Sequence, residues 1–133
     1  MQTFFLDTET TGLHPPHDKL VEVAIVNEAG DIVLDTLVNP ERPIGFATEI
    51  HGISDEMVEN APTLENLWPQ IFEIIENNHV IIYNAQFDTK FFPDALNLLK
   101  ILREIIGIYI IQEVCLMKDQ ISGMKQKKIF FFR

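Results

Sequence analysis

A chain of 133 residues, 47% hydrophobic and 23% charged, is one domain with enough apolar material for a sizeable core, and its composition excludes a disordered or collagen-like chain. Ten Lys and Arg against twenty Asp and Glu leave a net charge of −10, which argues against broad binding to a phosphate backbone. It leaves open a small site where divalent cations reverse the local field.

The N-terminus carries polar Gln2 and Thr3 and then acidic Asp7 and Glu9, without the basic start of a signal peptide. No run approaches the roughly 20 apolar residues of a membrane helix, so no membrane partner is expected. Cys115 is the one cysteine and cannot form an internal disulfide, which suits a reducing compartment and a cytoplasmic location. Gln2 to Asp7 is apolar and aromatic and predicts a short buried strand. Lys19 to Asn27 (KLVEVAIVN) and Asp31 to Val38 (DIVLDTLV) predict two more, with Glu22 the exception in an otherwise apolar run. Their short connection, Glu28-Ala29-Gly30, makes them a hairpin.

Pro40, Pro43 and Gly45 mark a loop, after which Ser54 is expected to cap a short acidic helix, DEMVEN. Thr63 caps the next helix, whose Leu64, Leu67, Trp68, Ile71, Phe72 and Ile75 recur at helical spacing; Pro69 within it predicts a kink or a start nearer Trp68. His79 to Tyr83 (HVIIY) reads as a buried strand. From Asp88, the apolar positions Phe91, Phe92, Ala95, Leu99, Leu102 and Ile106 predict a long helix packed on the sheet. Ile108 to Met117 reads as a fifth strand. The order predicts an α/β fold with a mixed sheet flanked by helices. Beyond Lys118 the character changes to clustered Lys125, Lys127 and Lys128 and three phenylalanines. The expectation is a single domain over 1–133, truncated after about residue 118 and C-terminally incomplete.

Three stretches carry chemistry. In FFLDTETTGL, strand alternation sends Asp7 and Glu9 to the same side, where two close carboxylates repel unless a divalent cation lies between them. A bare pair of this kind is more often two unrelated surface acids at a strand end. Here Gly12 permits a tight turn, and Thr10 and Thr11 offer backbone N–H groups for a phosphate or terminal hydroxyl. In YNAQFD, Asp88 opens the long helix, where an N-cap is the ordinary role; Asn84 and Phe87 also read as a turn residue and a core aromatic. In EIHGISDEMVENAPT, His51 lies in a loop, and a lone loop histidine is usually only solvated.

Taken together, these stretches resemble, in order and approximate spacing, the DEDD 3′–5′ exonuclease superfamily. The likeness is to its DnaQ-like members, the proofreading subunit of bacterial DNA polymerase III and the ribonuclease T group, over about residues 3 to 117. The resemblance implies a ribonuclease H-like fold and two-metal phosphodiester hydrolysis with Mg²⁺ or Mn²⁺. Asp7, Glu9 and Asp88 match the acidic catalytic and metal-ligating residues. Thr10, Thr11, Leu13, His51, Asn84 and Phe87 match positions at the substrate, with Leu13 as a wedge against the last bases. The implied partners are single-stranded DNA or RNA 3′ ends, beside a DNA polymerase in the proofreading relatives.

The family's closing motif, H-x-x-x-x-D or its tyrosine version Y-x-x-x-D, supplies a fourth carboxylate and the general base. No H-x-x-x-x-D occurs in this sequence, and the nearest tyrosine analogue, Tyr109 to Glu113 (YIIQE), ends in Glu and lies too close to Asp88. Phe46 stands where relatives often carry an acidic residue. The expectation is an exonuclease domain impaired in this chain. Two alternatives stand beside it: a catalytically inactive nucleic-acid-binding or interaction module, and self-association through an uncovered apolar face.

Overall fold

Alternation along the first apolar run decides where the core lies. In the computed structural model, which describes residues 1–93, strand β1 spans Thr3–Thr10 and buries Phe4, Leu6 and Thr8 on one face. Its other face carries Phe5, Asp7 and Glu9. The strand runs three residues beyond the predicted end at Asp7, so both acids lie within it. β2 (Leu20–Asn27) pairs antiparallel with β1, placing Leu6 opposite Ile25, Asp7 opposite Ala24 and Glu9 opposite Glu22. The register slips between Glu9 and Thr10, and this bulge ends the regular ladder at the acidic pair.

β3 (Ile32–Leu37) completes the predicted hairpin, with Gly30 at a φ of +85° in its turn. β4 (His79–Ile82) lies parallel to β1 on the other side, giving one mixed sheet in the order β3-β2-β1-β4. Its pairing stops at Leu6 with Ile82. Beyond that point β1 keeps β2 on one side but has no β4 partner on the other, and there the chain after β4 folds against the acidic residues.

Helix α3 (Leu64–Ile75) starts at Thr63, whose hydroxyl accepts the Asn66 N–H, and buries Leu67, Ile71 and Ile75 against Phe4, Leu6, Val23, Ile25, Val80 and Ile82. It neither starts late nor breaks at Pro69. Pro69 and Glu65 are both exposed, so the carbonyl that loses its i+4 donor at Pro69 lies on the wet side of the helix. Trp68 ties this helix to the chain after β4, with ring centroids 5.7 Å from Phe92.

A smaller cluster of Val21, Ile44, Ala47, Ile53 and Val58 packs separately, with Leu37 and Ala61 against it. It anchors a 3₁₀ turn (Gly45–Ala47), α1 (Thr48–His51) and α2 (Asp55–Val58). His51 therefore ends a helical turn instead of lying in a loop. Ser54 sits at the N-cap of α2 but makes no side-chain cap bond.

After β4 comes α4 (Ala85–Asp88), then a 3₁₀ turn (Thr89–Phe91). Asp88 thus closes a short helix and does not cap a long one. The backbone becomes extended at Phe92 (φ −89°, ψ 155°) because Pro93 disfavours helical geometry in the residue before it. The remainder of the expected long helix, the strand at 108–117, Tyr109 to Glu113 and the tail after Lys118 lie outside the described residues. Among the described residues no helix is long and apolar enough to cross a membrane.

Candidate active site

Two strand ends make the site. Asp7 and Glu9 stand near the carboxyl end of β1, and Asp88 follows the carboxyl end of its parallel neighbour β4. Such an edge is where α/β sheets hold ligands. A cleft of about 610 Å³ opens there, lined by residues 7–13 of the β1 end, 46, 47, 50 and 51 of the α1 region, and 83, 84, 87 and 88 around α4.

Thr8 points away from its acidic neighbours, yet it joins the two strand ends. Its buried hydroxyl donates to Asp88 Oδ1 at 2.6 Å, across 80 residues of sequence. Asn84 sets up that contact, its carbonyl accepting the N–H groups of Phe87 and Asp88 at 2.9 Å and closing α4. Phe87 is half-buried, packs against the main core and meets Phe91 edge-on at 5.0 Å, while also lining the cleft.

The electrostatics are adverse to ionisation. Burial, then the charges of Asp88, Glu9 and Glu22, push the Asp7 carboxyl up to about 8. Asp88 is also raised, by burial, against the opposing hydrogen bonds from Thr8 and Asn84. Among the described residues no three His, Cys, Asp or Glu side chains stand close enough together to hold a metal ion as they are. What the structure brings together is Asp7 coupled to Asp88, with Glu9 and Glu22 adding negative charge. Carboxylate oxygens whose ionisation is suppressed by burial and, at Asp7, by neighbouring acids are the chemistry that suits a hard divalent cation.

The turn after β1 is held internally. Thr11 is buried; its N–H donates to the Lys19 carbonyl at 2.8 Å and its hydroxyl donates to Asp18 Oδ1 at 3.0 Å. The amide expected to be free at Thr11 is therefore taken, because the bulge turns it toward the returning chain. The Thr10 hydroxyl donates to the Gly12 carbonyl at 2.7 Å. At Gly12 an added Cβ would lie 2.4 Å from Asp18 Oδ2, so glycine is required for the carboxylate to approach. Asp18 also accepts the His14 N–H at 2.9 Å and pairs with Arg42 at 3.6 Å. Partial burial raises its carboxyl, but these hydrogen bonds and the guanidinium outweigh it and leave Asp18 below the usual range.

His51 clasps the same turn. The Ile53 N–H donates to Nδ1 at 3.1 Å, which leaves the proton on Nε2, 3.1 Å from the Thr10 carbonyl. Both ring nitrogens thus have partners within the chain, and the ring links α1 to the end of β1. Leu13 is 65% exposed at the cleft.

Sequence reasoning missed Thr8, Glu22, Ile50 and Tyr83. Glu22 had a signal, as the one charge in the apolar run of β2. Thr8 had none, since alternation sends it to the opposite face from Asp7.

The mixed sheet, with helices on it and an acidic cleft at the ends of β1 and β4, has the ribonuclease H-like α/β fold. The profile of the exonuclease family (the ribonuclease T group) matches residues 4–131, and the chain belongs to that family, within the DnaQ-like DEDD exonuclease superfamily. It is 45% identical over 87 residues to an uncharacterized exonuclease of Escherichia phage 186, covering 65% of this chain and 44% of that one. It is 36% identical over 106 residues to the DNA polymerase III subunit epsilon of Rickettsia felis, covering 75% of this chain and 46% of that one. This chain spans under half the length of both relatives. Exonuclease X, solved in complex with 5′ overhanging duplex DNA, superposes with a TM-score of 0.57 at 35% identity, over 68% of this chain and 54% of that one. E. coli exonuclease I, solved with a dT13 oligonucleotide, superposes at 0.65 over 99% of this chain and 32% of that one; at 14% identity the likeness is one of fold.

Proposed function

We propose that this chain is a 3′–5′ exonuclease domain that removes nucleotides from single-stranded ends by metal-dependent hydrolysis, and that it works slowly. The observation that carries the reading is that Asp7, Glu9 and Asp88 line one cleft at the ends of β1 and β4, with Thr8 tying the two strand ends together, in a chain of the exonuclease family. Asp7, Glu9 and Asp88 would hold the divalent ions. Bound Mg²⁺ or Mn²⁺ would supply polarisation of the scissile phosphate and stabilisation of the leaving oxygen. The chain's own residues position those acids: Thr8 holds Asp88, and His51 holds the end of β1 at Thr10. Leu13 and Phe87 contribute apolar surface for the last bases, and Asn84 shapes the turn that presents Asp88. Hydrolysis adds water across the P–O3′ bond, releasing a 5′-mononucleotide and leaving a new 3′ hydroxyl.

The expected slowness rests on one feature of these 133 residues. They contain no H-x-x-x-x-D, and acting by themselves they would do without one anionic ligand and general-base help of typically about 10²–10⁴-fold. The same gap supports a second reading, a nucleic-acid-binding module that does no chemistry, and its signature is retained oligonucleotide binding with no mononucleotide release. The test is the purified chain with Mn²⁺ and a 5′-labelled oligonucleotide. Slow 3′ trimming that disappears in Asp7→Ala is expected. Robust cleavage surviving in Asp7→Ala would overturn the assignment.

A further inference from the structure

Positive charge is scarce in this chain, and its placement is uneven. Lys19, Arg42 and Lys90 are the Lys and Arg residues of positions 1–93. From Pro43 to Thr89 there is neither, while Glu49, Asp55, Glu56, Glu59, Glu65 and Glu73 are exposed on and beside α1, α2 and α3. A phosphate backbone laid along those helices meets like charge throughout. Two of the three cations gather instead where the turn after β1 meets the loop that leads into Gly45.

Both are fixed to residues that line the cleft. The Lys19 N–H donates to the Thr11 hydroxyl at 3.1 Å, and its carbonyl accepts the Thr11 N–H at 2.8 Å. Arg42 Nη1 lies 3.6 Å from Asp18 Oδ1 and donates to the His17 carbonyl. Asp18 in turn stands so close to Gly12 that no Cβ fits between them. Both contacts of Arg42 use one guanidinium nitrogen, and 41% of its side chain is exposed, so the other N–H groups of the fork are available to an oxyanion. Asp18 does not cancel that charge alone, because the Thr11 hydroxyl and the His14 N–H also donate to it. Lys19 is exposed, and so are His14 and His17 on the same turn, whose rings add N–H donors.

The cleft itself supplies none of this. Among the described residues lining it there is neither Lys nor Arg. Divalent ions held by its acids would answer the scissile phosphate. Phosphates farther along a strand need positive charge elsewhere, and the rim at Thr11 and Gly12 is where the fold fixes it.

We propose that Lys19 and Arg42 form a phosphate-binding rim, over which the backbone of a nucleic-acid strand passes as it leaves the cleft. The inference rests on the exonuclease reading for the identity of the ligand. It adds a second contact site, outside the acidic floor, and a course for the strand over the turn after β1 instead of across the acidic helices.

The probe is a 5′-fluorescein-labelled oligothymidylate with a free 3′ hydroxyl, its binding to the chain followed by anisotropy in Ca²⁺, which holds turnover down, over a range of KCl concentrations. Each phosphate contact to a single strand contributes about 0.7 to the slope of log affinity against log salt. Lys19→Ala and Arg42→Gln should each lower the parent's slope by about that amount and weaken binding about fivefold at low salt. Lys90→Ala, which removes an exposed cation outside the cleft lining, should leave the slope unchanged. Lys19 is exposed and bonds to Thr11 through its backbone, so Lys19→Ala should melt with the parent; it decides the matter even where Arg42→Gln loosens the turn. A Lys19→Ala slope equal to the parent's, or an equal loss in Lys90→Ala, overturns the rim, whether or not the chain trims DNA. A reduced slope in Lys19→Ala alone of those two, with no mononucleotide release by the parent in Mn²⁺, upholds the rim and overturns the exonuclease reading. A parent chain that binds no strand overturns both.

Discussion

Asp7 and Asp18 lie eleven residues apart on either side of one turn, and they answer to opposite physics. Asp18 is supplied with donors from the Thr11 hydroxyl and the His14 N–H, with Arg42 nearby, so its charge is settled within the fold. Asp7 is surrounded instead by burial and by Asp88, Glu9 and Glu22, and its carboxyl rises to about 8. A carboxylate whose charge the fold satisfies is a structural part. One that the fold leaves short of positive charge is where a cation from outside has most to offer. The difference separates, along a single turn, a carboxylate that the fold satisfies from one that it does not.

The comparison breaks most sharply at the chemistry. Asp7→Ala should reduce mononucleotide release in Mn²⁺ by roughly 10²–10³-fold, whereas Asp18→Asn should act mainly on stability, with trimming retained below its melting temperature. A 5′-labelled oligonucleotide assay beside thermal denaturation reads both.

Next in size is the pH response. The folded Asp7 carboxyl binds its proton more tightly than in the unfolded chain, so the folded state holds the extra proton. The metal-free chain should therefore be most stable near pH 4 on this account and lose stability as pH rises toward about 8, where Asp7 is forced to ionise. Asp7→Asn should remove that loss and melt roughly 5 °C or more above the parent at pH 8, and Mn²⁺ should recover stability in the parent only. Asp18 has the opposite sign: its depressed carboxyl contributes stability that is present above its unfolded value and lost as pH falls through the folded one. An Asp7→Asn variant no more stable than the parent at pH 8 would break the contrast.

Gly12→Ala comes third. The new Cβ meets the Asp18 carboxylate at 2.4 Å, and displacing that carboxylate releases the turn, at a cost of about 1–3 kcal/mol in denaturant unfolding. The smallest effect belongs to Thr8→Val, which removes the hydroxyl donated to Asp88. Stability should fall by about 1–2 kcal/mol, and Asp88 should titrate higher still, which NMR of its carboxyl carbon would follow.

Much of this was legible in the sequence where periodicity or local chemistry carried the information. The hairpin, the β4 strand, the Thr63 cap and the shared side of Asp7 and Glu9 follow from alternation, helical spacing and turn residues, which depend on neighbours a few positions away. Expectations missed where solvent exposure, a returning segment or a following proline decided. Pro69 does not break α3 because its exposed side is wet. Thr11 has no free amide because Lys19 returns to it. Asp88 closes a helix because the chain must become extended before Pro93. The site was half visible: the acids and His51 stood out as motifs, but the bond from Thr8 to Asp88, the register of Glu9 with Glu22, and the engagement of both His51 nitrogens did not.

By itself, then, the sequence determined the strand and helix periods, the family, and which residue types could do acid-and-cation chemistry, because these are properties of local order along the chain. Only the tertiary structure decided which of those residues share a cleft, which carboxylate is left short of positive charge, and that Lys19 and Arg42 stand at the rim beside it. Burial and long-range pairing set those outcomes, and neither exists until the sheet has formed.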